Sequence, residues 1–186
     1  MKIYLDVTNQ EFYYAIFNKN QIIYRNFIPQ IKKKVELIPK VFEDSLKEVK
    51  LKMGNIEGFY LNVGPGYFTG VRIGLVFFRT LALLLNKPIY TISSFEILKK
   101  QNPDKKHFYI DAQGKKAYFL DLDNLKNQLQ ESIQVIDFVG EFDKIDYFKF
   151  EKNFENYLNL FKKYDYSKVL EIEPLYIKKP QIGEKK

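Results

Sequence analysis

The order of the predicted elements indicates an α/β protein in which a mixed sheet is flanked by helices. The chain opens with three runs of β-branched and aromatic residues, 2–7, 12–17 and 21–28, separated by short polar turns. This pattern is typical of an antiparallel meander. Residues with helical spacing then alternate with apolar runs of strand length. Helices that alternate with strands in this way are expected to pack on the sheet, which gives a layered architecture.

The first predicted helix covers residues 35–52. Ile38, Phe42 and Val49 fall on one face, with acids and lysines on the opposite face. Pro39 is compatible with the first turn, where its missing N–H costs nothing. Gly54 is expected to end the helix.

Two further strands enclose the second predicted helix. Residues 58–63 form an apolar run, residues 64–66 turn the chain, and a helix is predicted from 69 to 86. Pro88 stops that helix, and residues 89–92 form the next strand.

A polar, turn-rich stretch at residues 102–106 predicts a boundary between two lobes. We therefore expect an N-terminal lobe of residues 1–103 and a reduced C-terminal lobe of residues 104–186 that ends in an extended tail. The predicted elements of the second lobe are a strand pair, a third strand and a helix: 107–112, 116–122, 133–139 and 153–163.

The net charge of +7 is compatible with a surface that binds RNA. Lysines spread over solvated faces give the same total, so the charge alone does not decide between the two interpretations.

The sequence favours a cytoplasmic protein without a membrane segment. It has no cysteine, which excludes disulfides and thiolate metal sites. Asp6 stands where a signal peptide needs its apolar region. The longest apolar stretch, 73–85, is interrupted by Arg79 and is short for a bilayer span.

The helix predicted at 69–86 has almost no polar face. Arg72, Arg79 and Asn86 are seven residues apart and share one narrow stripe, which Val76 and Leu83 border. A helix on a sheet buries about half of its circumference. About four large apolar side chains would then remain in water, which forgoes roughly 6–12 kcal/mol.

Two kinds of cover are open for this helix. It can be covered by the helix at 35–52 of the same chain or by another subunit. The small size of the chain favours the subunit. The predicted partner interface lies on these two helices and comprises Arg72, Val76, Arg79, Leu83, Ile38 and Phe42.

A glycine-rich turn precedes this helix. Gly64, Pro65, Gly66, Thr69 and Gly70 lie between a strand and a helix, where backbone amides can bind a phosphate. The segment lacks the Lys-Ser/Thr ending of a P-loop. A tight turn that lets the strand and the helix pack closely is the favoured interpretation.

Asp6, Thr8 and Asp111 stand at predicted strand ends, where they could form a phosphate or metal neighbourhood. Turn chemistry explains them equally well. His107 is the only histidine of the 186 residues, so these residues cannot form a metal site that needs two or more histidines. No set of residues is arranged for nucleophilic or acid–base catalysis.

Residues 64–74 read GPGYFTGVRIG and resemble the signature of the TsaB (YeaZ) family, GPGSFTGVRIG. Tyr67 replaces the usual Ser. Weaker matches to the same family follow the family's order and lie at residues 4–8, 35–39, 110–112, 116–118 and 173–178.

The resemblance implies the actin-like/Hsp70-like ATPase (ASKHA) fold, with two lobes and a reduced second lobe. It implies a non-catalytic scaffold that pairs through its N-lobe helices with the transferase TsaD, joined by the small ATPase TsaE. This assembly places threonylcarbamoyl on N6 of the adenosine beside the anticodon of tRNA. Homodimers in isolation, tRNA contact only through the complex and no bound cofactor are also implied. Asp6, Thr8 and Asp111 then correspond to a vestigial nucleotide site.

Two alternatives remain open at this point. One is a nucleotide-binding enzyme with the actin-like fold, either an ATPase, a kinase or a TsaD-like transferase. The other is a module that binds tRNA directly through the basic surface.

Overall fold

The computed structural model describes residues 1–31 and 33–177. Residues 32 and 178–186, which include the end of the predicted second lobe and the last residue of its C-terminal family match, lie outside the described residues. The described chain forms two sheets flanked by helices, so the predicted α/β class is confirmed.

The first sheet has six strands in the order β3-β2-β1-β4-β5-β9. These strands are β1 (Lys2–Asp6), β2 (Phe12–Asn18), β3 (Gln21–Ile28), β4 (Gly58–Asn62), β5 (Ile89–Ile92) and β9 (Lys162–Tyr164). The first three form the predicted antiparallel meander, while β1, β4 and β5 run parallel to one another.

The second sheet has three antiparallel strands in the order β6-β7-β8. They are β6 (His107–Asp111), β7 (Lys116–Asp121) and β8 (Ile133–Asp137). The α-helices are α1 (Leu37–Glu48), α2 (Phe68–Leu85), α3 (Ser94–Gln101), α4 (Leu129–Ser132) and α5 (Tyr147–Lys152). Short 3₁₀ turns cover Met53–Asn55, Leu122–Asn124, Phe154–Leu160 and Tyr166–Glu171.

Alternation along β1 and β2 divides the core of the first sheet into two layers. Ile3 and Leu5 face the layer under α1 and α2, whereas Tyr4 faces the opposite layer. The second layer is largely aromatic: Tyr13 stacks on Tyr147 with ring centroids 4.3 Å apart. Phe and Tyr residues therefore fill most of the face that α5 and the 3₁₀ turn Phe154–Leu160 cover.

The second sheet is joined to the first through α3. Phe95 and Leu98 of α3 are buried in one cluster with Phe108 and Leu120 of the three-stranded sheet. Ser93 caps α3 with a capping box that includes Glu96.

The prediction of a helix at residues 153–163 is wrong. The chain instead forms α5, then the 3₁₀ turn Phe154–Leu160, and then β9. Phe154, Tyr157 and Leu160 are three residues apart, a spacing that matches the three residues per turn of a 3₁₀ helix.

The first helix is shorter than the predicted span of 35–52. It ends at Glu48, before Gly54, and the chain leaves the helical path at Lys50, which has a φ of 51°. Gly54 lies in the 3₁₀ turn Met53–Asn55.

The predicted lobe boundary after residue 103 stays a prediction. Within the predicted second lobe, β9 returns to the first sheet and pairs antiparallel with β5. The 3₁₀ turn Tyr166–Glu171 then packs against α2.

The aromatic layer generates a stability prediction. Replacing Phe150 by Ala should lower the free energy of unfolding by about 3–5 kcal/mol, because its ring is fully buried within the aromatic layer. Chemical denaturation measures this loss. Phe148→Ala is the matched control: its ring is 55% exposed, and its loss should cost at most about 1 kcal/mol. Equal losses for both variants would contradict the packing described above.

Candidate functional site

The glycine turn brings α2 against the end of β1. A Cβ atom at Gly66 would collide with the carbonyl oxygen of Thr8, and one at Gly70 would collide with that of Val7. The Tyr67 amide donates to the Thr8 carbonyl at 2.5 Å. Close approach of two backbone segments therefore requires glycine at these positions, which supports the tight-turn interpretation.

Asp6, at the end of β1, is fully buried and accepts hydrogen bonds from the protein itself. Its Oδ1 accepts from the amide and the hydroxyl of Thr8 at 3.0 and 2.7 Å. Its Oδ2 accepts from Asn62 Nδ2 at 2.6 Å and from the Tyr4 hydroxyl at 3.4 Å. Burial and the nearby Asp6 carboxyl raise the pKa of Tyr4, so this hydroxyl keeps its proton and donates.

Asn62 and Ser94 extend this network into the glycine turn. Asn62 Oδ1 accepts from the Gly64 amide at 2.9 Å, and Asn62 Nδ2 donates to Ser94 Oγ at 3.0 Å. The Ser94 hydroxyl donates to the Pro65 carbonyl at 3.0 Å. The amides of Gly64 and Tyr67 thus already have acceptors within the chain. Sequence reasoning missed Asn62, although a polar residue at the end of an apolar strand was a visible signal.

Asp111 ends β6 and faces Tyr67. Its Oδ2 accepts from the Tyr67 hydroxyl at 2.6 Å, and its Oδ1 accepts from the Gln113 amide at 2.8 Å. Gln10 Nε2 donates to the Tyr67 oxygen at 3.2 Å. Tyr67 therefore lies between the loop that contains Thr8 and the strand end that contains Asp111. The role of Asp6, Thr8 and Asp111 as a vestigial nucleotide site stays a prediction.

Lys34 is a buried cation that sequence reasoning missed. Its ammonium donates to the carbonyl oxygens of Val7, Asn9 and Glu11. Burial lowers its pKa to about 8. The Lys34 side chain thus binds the β1–β2 loop through three backbone carbonyls. No local sequence pattern predicts this contact, because the residues are more than twenty positions apart.

No group of three His, Cys, Asp or Glu residues within 1–31 and 33–177 is placed to hold a metal ion. His107 lies at the start of β6, half exposed, with its Nε2 3.5 Å from Asp121.

One face of α2 is seated on the sheet and another is open. Its buried residues are Gly70, Val71, Gly74, Leu75, Phe78 and Ala82. On the open face Val76, Leu83 and Leu84 remain 59%, 43% and 72% exposed. By length and composition alone, α2 is apolar enough to cross a membrane. In this fold it lies on the first sheet.

Two neighbours flank the open face of α2. On one side α1 packs through an edge-to-face contact between Phe42 and Phe77, with ring centroids 5.5 Å apart. On the other side Arg79 Nε donates to the carbonyl of Val169 at 2.9 Å. Arg72 lies over the Phe68 ring at 5.0 Å. An apolar groove of about 420 Å³ runs between α1 and α2.

The predicted partner interface is only partly exposed. Ile38 and Phe42 are 0% and 5% exposed because they fill the layer between α1 and the first sheet, so they offer a partner little surface. Arg72, Val76 and Leu83 lie on the open face, and Arg79 is half-buried beside it. We therefore define the docking face as Arg72, Val76, Thr80, Leu83 and Leu84, and its contact with a partner stays a prediction.

The close approach at Gly70 can be tested by adding one methyl group. Gly70→Ala should lower the free energy of unfolding by about 2–3 kcal/mol, because the new Cβ would meet the Val7 carbonyl. Gly54→Ala is the control, since no atom lies within 4 Å of a Cβ there. That variant should stay within about 0.5 kcal/mol of the parent. Denaturant titration measures the free energy of unfolding of both variants. A Gly70→Ala variant as stable as the parent would contradict the close packing of α2 against the end of β1.

Two solved structures share this fold. YeaZ from Pseudomonas aeruginosa superposes with a TM-score of 0.55 at 18% sequence identity, covering 75% of this chain and 64% of that one. A second structure, titled an uncharacterized protein with similarity to peptidase YeaZ from Pseudomonas aeruginosa, gives 0.56 and 19%, covering 75% and 63%. The match confirms the predicted actin-like (ASKHA) fold.

Curated relatives match over part of their length. A tRNA N6-adenosine threonylcarbamoyltransferase of Methylobacterium sp. (strain 4-46) is 28% identical over 92 residues, which is 44% of this chain and 26% of the relative. The protein of that name from Prochlorococcus marinus (strain AS9601) is 28% identical over 127 residues, 63% of this chain and 36% of the relative. The chain spans about a quarter to a third of the length of these relatives.

A family model described as TsaD, tRNA N6-adenosine threonylcarbamoyltransferase, matches residues 18–171. This range includes the glycine turn, α2 and the second sheet. Together with the YeaZ structures, it confirms the resemblance that the segment at 64–74 predicted. The chain therefore belongs to the TsaD family and has the fold of its YeaZ (TsaB) members.

Proposed function

We propose that this chain is a non-catalytic scaffold subunit that docks onto a TsaD-type transferase through the docking face of α2. In this role it supports transfer of threonylcarbamoyl to N6 of the adenosine beside the anticodon of tRNA. A TsaE-type ATPase joins the pair, the free chain forms a homodimer, and tRNA is contacted only within the complex. In this role the protein is cytoplasmic and needs no cofactor.

The exposed apolar side chains of α2 carry this proposal. Val76, Leu83 and Leu84 leave more than half of their combined side-chain surface in water. Full burial would contribute about 3–5 kcal/mol. That amount is large relative to the net stability of a small domain, so a partner that covers the face is favoured.

The composition of the docking face fits a protein partner. Arg72 borders the apolar side chains, and its guanidinium lies over the Phe68 ring, which holds it at the edge of the face. Arginine beside a desolvated apolar centre is the usual arrangement of a protein–protein hot spot.

The hydrogen bonds of Asp6 and Asp111 support a non-catalytic role. Asp6 accepts hydrogen bonds from Tyr4, Thr8 and Asn62 of the same chain, and Asn62 in turn binds the Gly64 amide of the glycine turn. Both oxygens of Asp111 also accept from the chain, through Tyr67 and Gln113. Carboxyl groups engaged in this way serve the fold, so the alternative of a nucleotide-binding enzyme has less support.

Light-scattering mass tests the scaffold role. The chain is measured alone and mixed with the TsaD-type protein of the same genome, as wild type and as Leu83→Asp. A buried aspartate at this interface should weaken the complex at least about a hundredfold, which removes the heterodimer mass at micromolar concentration.

Leu125→Asp is the matched control for that measurement. Leu125 is 46% exposed, close to the 43% of Leu83, but it follows the 3₁₀ turn Leu122–Asn124 beside the second sheet. It should leave the complex unchanged. A monomer mass under all conditions, or equal weakening by both variants, would contradict the proposal. Salt-sensitive retention of tRNA by the chain alone would instead support the direct tRNA-binding alternative.

A further inference from the structure

Tyr67 occupies the mouth of the cleft between the two sheets. Its hydroxyl donates to Asp111 at the end of β6 and accepts from Gln10 in the β1–β2 loop. Its backbone amide donates to Thr8 in the same loop. One residue thus connects the loop after β1 to the tip of the β6–β7 hairpin, residues 111–115.

Tyr67 lines three cavities. The first, of about 370 Å³, is also lined by Ala112 and Tyr176. The second, of about 600 Å³, extends toward Lys33 and Thr69. The third, of about 230 Å³, extends toward Tyr147. All three cavities therefore meet at this residue, whose side chain extends between Gln10 and Asp111.

The two sheets are held differently at their two ends. Near α3 they are joined by buried side chains, because Phe95 and Leu98 pack with the second sheet and Ile97 packs with the first. At the hairpin tip, Gln113, Gly114 and Lys115 are exposed and all have positive φ. Ala112 is buried, whereas the rest of the tip is held by polar contacts, of which the Tyr67–Asp111 hydrogen bond is short and involves a carboxyl group.

We propose that Tyr67 is a latch that closes the cleft between the sheets. Its hydroxyl fixes the hairpin tip to the first sheet, and its ring blocks passage between the three cavities. Loss of the hydroxyl frees the tip, and loss of the ring opens one continuous cleft. This inference is independent of partner docking on α2.

The chemistry of the side chain agrees with this role. Burial and the Asp111 hydrogen bond raise the pKa of Tyr67 to about 12, so the hydroxyl remains a donor across the physiological range. Phenylalanine keeps the ring but cannot donate to Asp111. Serine keeps a hydroxyl, but it is too short to cross the cleft.

The absence of cysteine from the sequence allows a direct accessibility test. Ala112, which lines the first cavity and is 6% exposed, is replaced by cysteine as a reporter. Its labelling by a thiol reagent is timed in four backgrounds: Tyr67, Tyr67→Phe, Tyr67→Ser and Tyr176→Phe. Tyr176→Phe removes a hydroxyl from the same cleft but leaves the bond to Asp111 intact.

Labelling should accelerate about tenfold in Tyr67→Phe. A hydrogen bond to a carboxyl group is strong enough that its loss should raise the population of the open form by about this factor. Labelling should accelerate further in Tyr67→Ser and stay within about twofold in Tyr176→Phe, where that bond survives. Equal rates in all backgrounds would overturn the latch, and so would equal acceleration by Tyr67→Phe and Tyr176→Phe.

Hydrogen exchange on chains without the reporter separates local opening from general loss of stability. In Tyr67→Phe and Tyr67→Ser, amides at 111–116 should exchange faster, while those of β1 and α3 keep their parental rates. A uniform increase along the chain would also overturn the latch, because it would show that Tyr67 acts only on global stability.

Discussion

The carboxyl group of Asp6 is the point at which β1, β4 and the glycine turn are joined. A buried carboxyl group costs several kcal/mol unless hydrogen bonds replace its hydration. Here Thr8 and Asn62 supply the closest donors, and Asn62 in turn binds the Gly64 amide. The turn is thereby fixed above the end of β1, where only glycine lets the two backbone segments approach.

The direction of α2 follows from this arrangement. With its first turn fixed against β1, the helix lies along the sheet with Leu75 and Phe78 buried. Val76 and Leu83 are then directed away from the sheet, between α1 and the 3₁₀ turn Tyr166–Glu171. The proposed docking face is thus a consequence of how the turn is held, and the same turn places Tyr67 in the cleft.

Local patterns predicted most of the first lobe. Period-two and helical spacings gave the meander, α1 and α2, and the apolar excess of α2 predicted an open face. The remaining features depend on contacts distant in sequence. Lys34 binds carbonyls more than twenty residues away, and Tyr67 binds Asp111 from the other sheet. Residues 153–163 were predicted as one helix, whereas Phe154 and Tyr157 lie in a 3₁₀ turn that packs on the aromatic layer.

The free energy of unfolding of Asp6→Asn, compared with Asp111→Asn, tests the central role of Asp6 most directly. An amide at position 6 turns one acceptor into a donor that faces other donors, so it should cost about 2–4 kcal/mol. Asp111→Asn, at a partly exposed strand end, should cost less than about 1 kcal/mol. If Asp6→Asn were as stable as the parent, Asp6 would not hold the turn and this account of α2 would be contradicted.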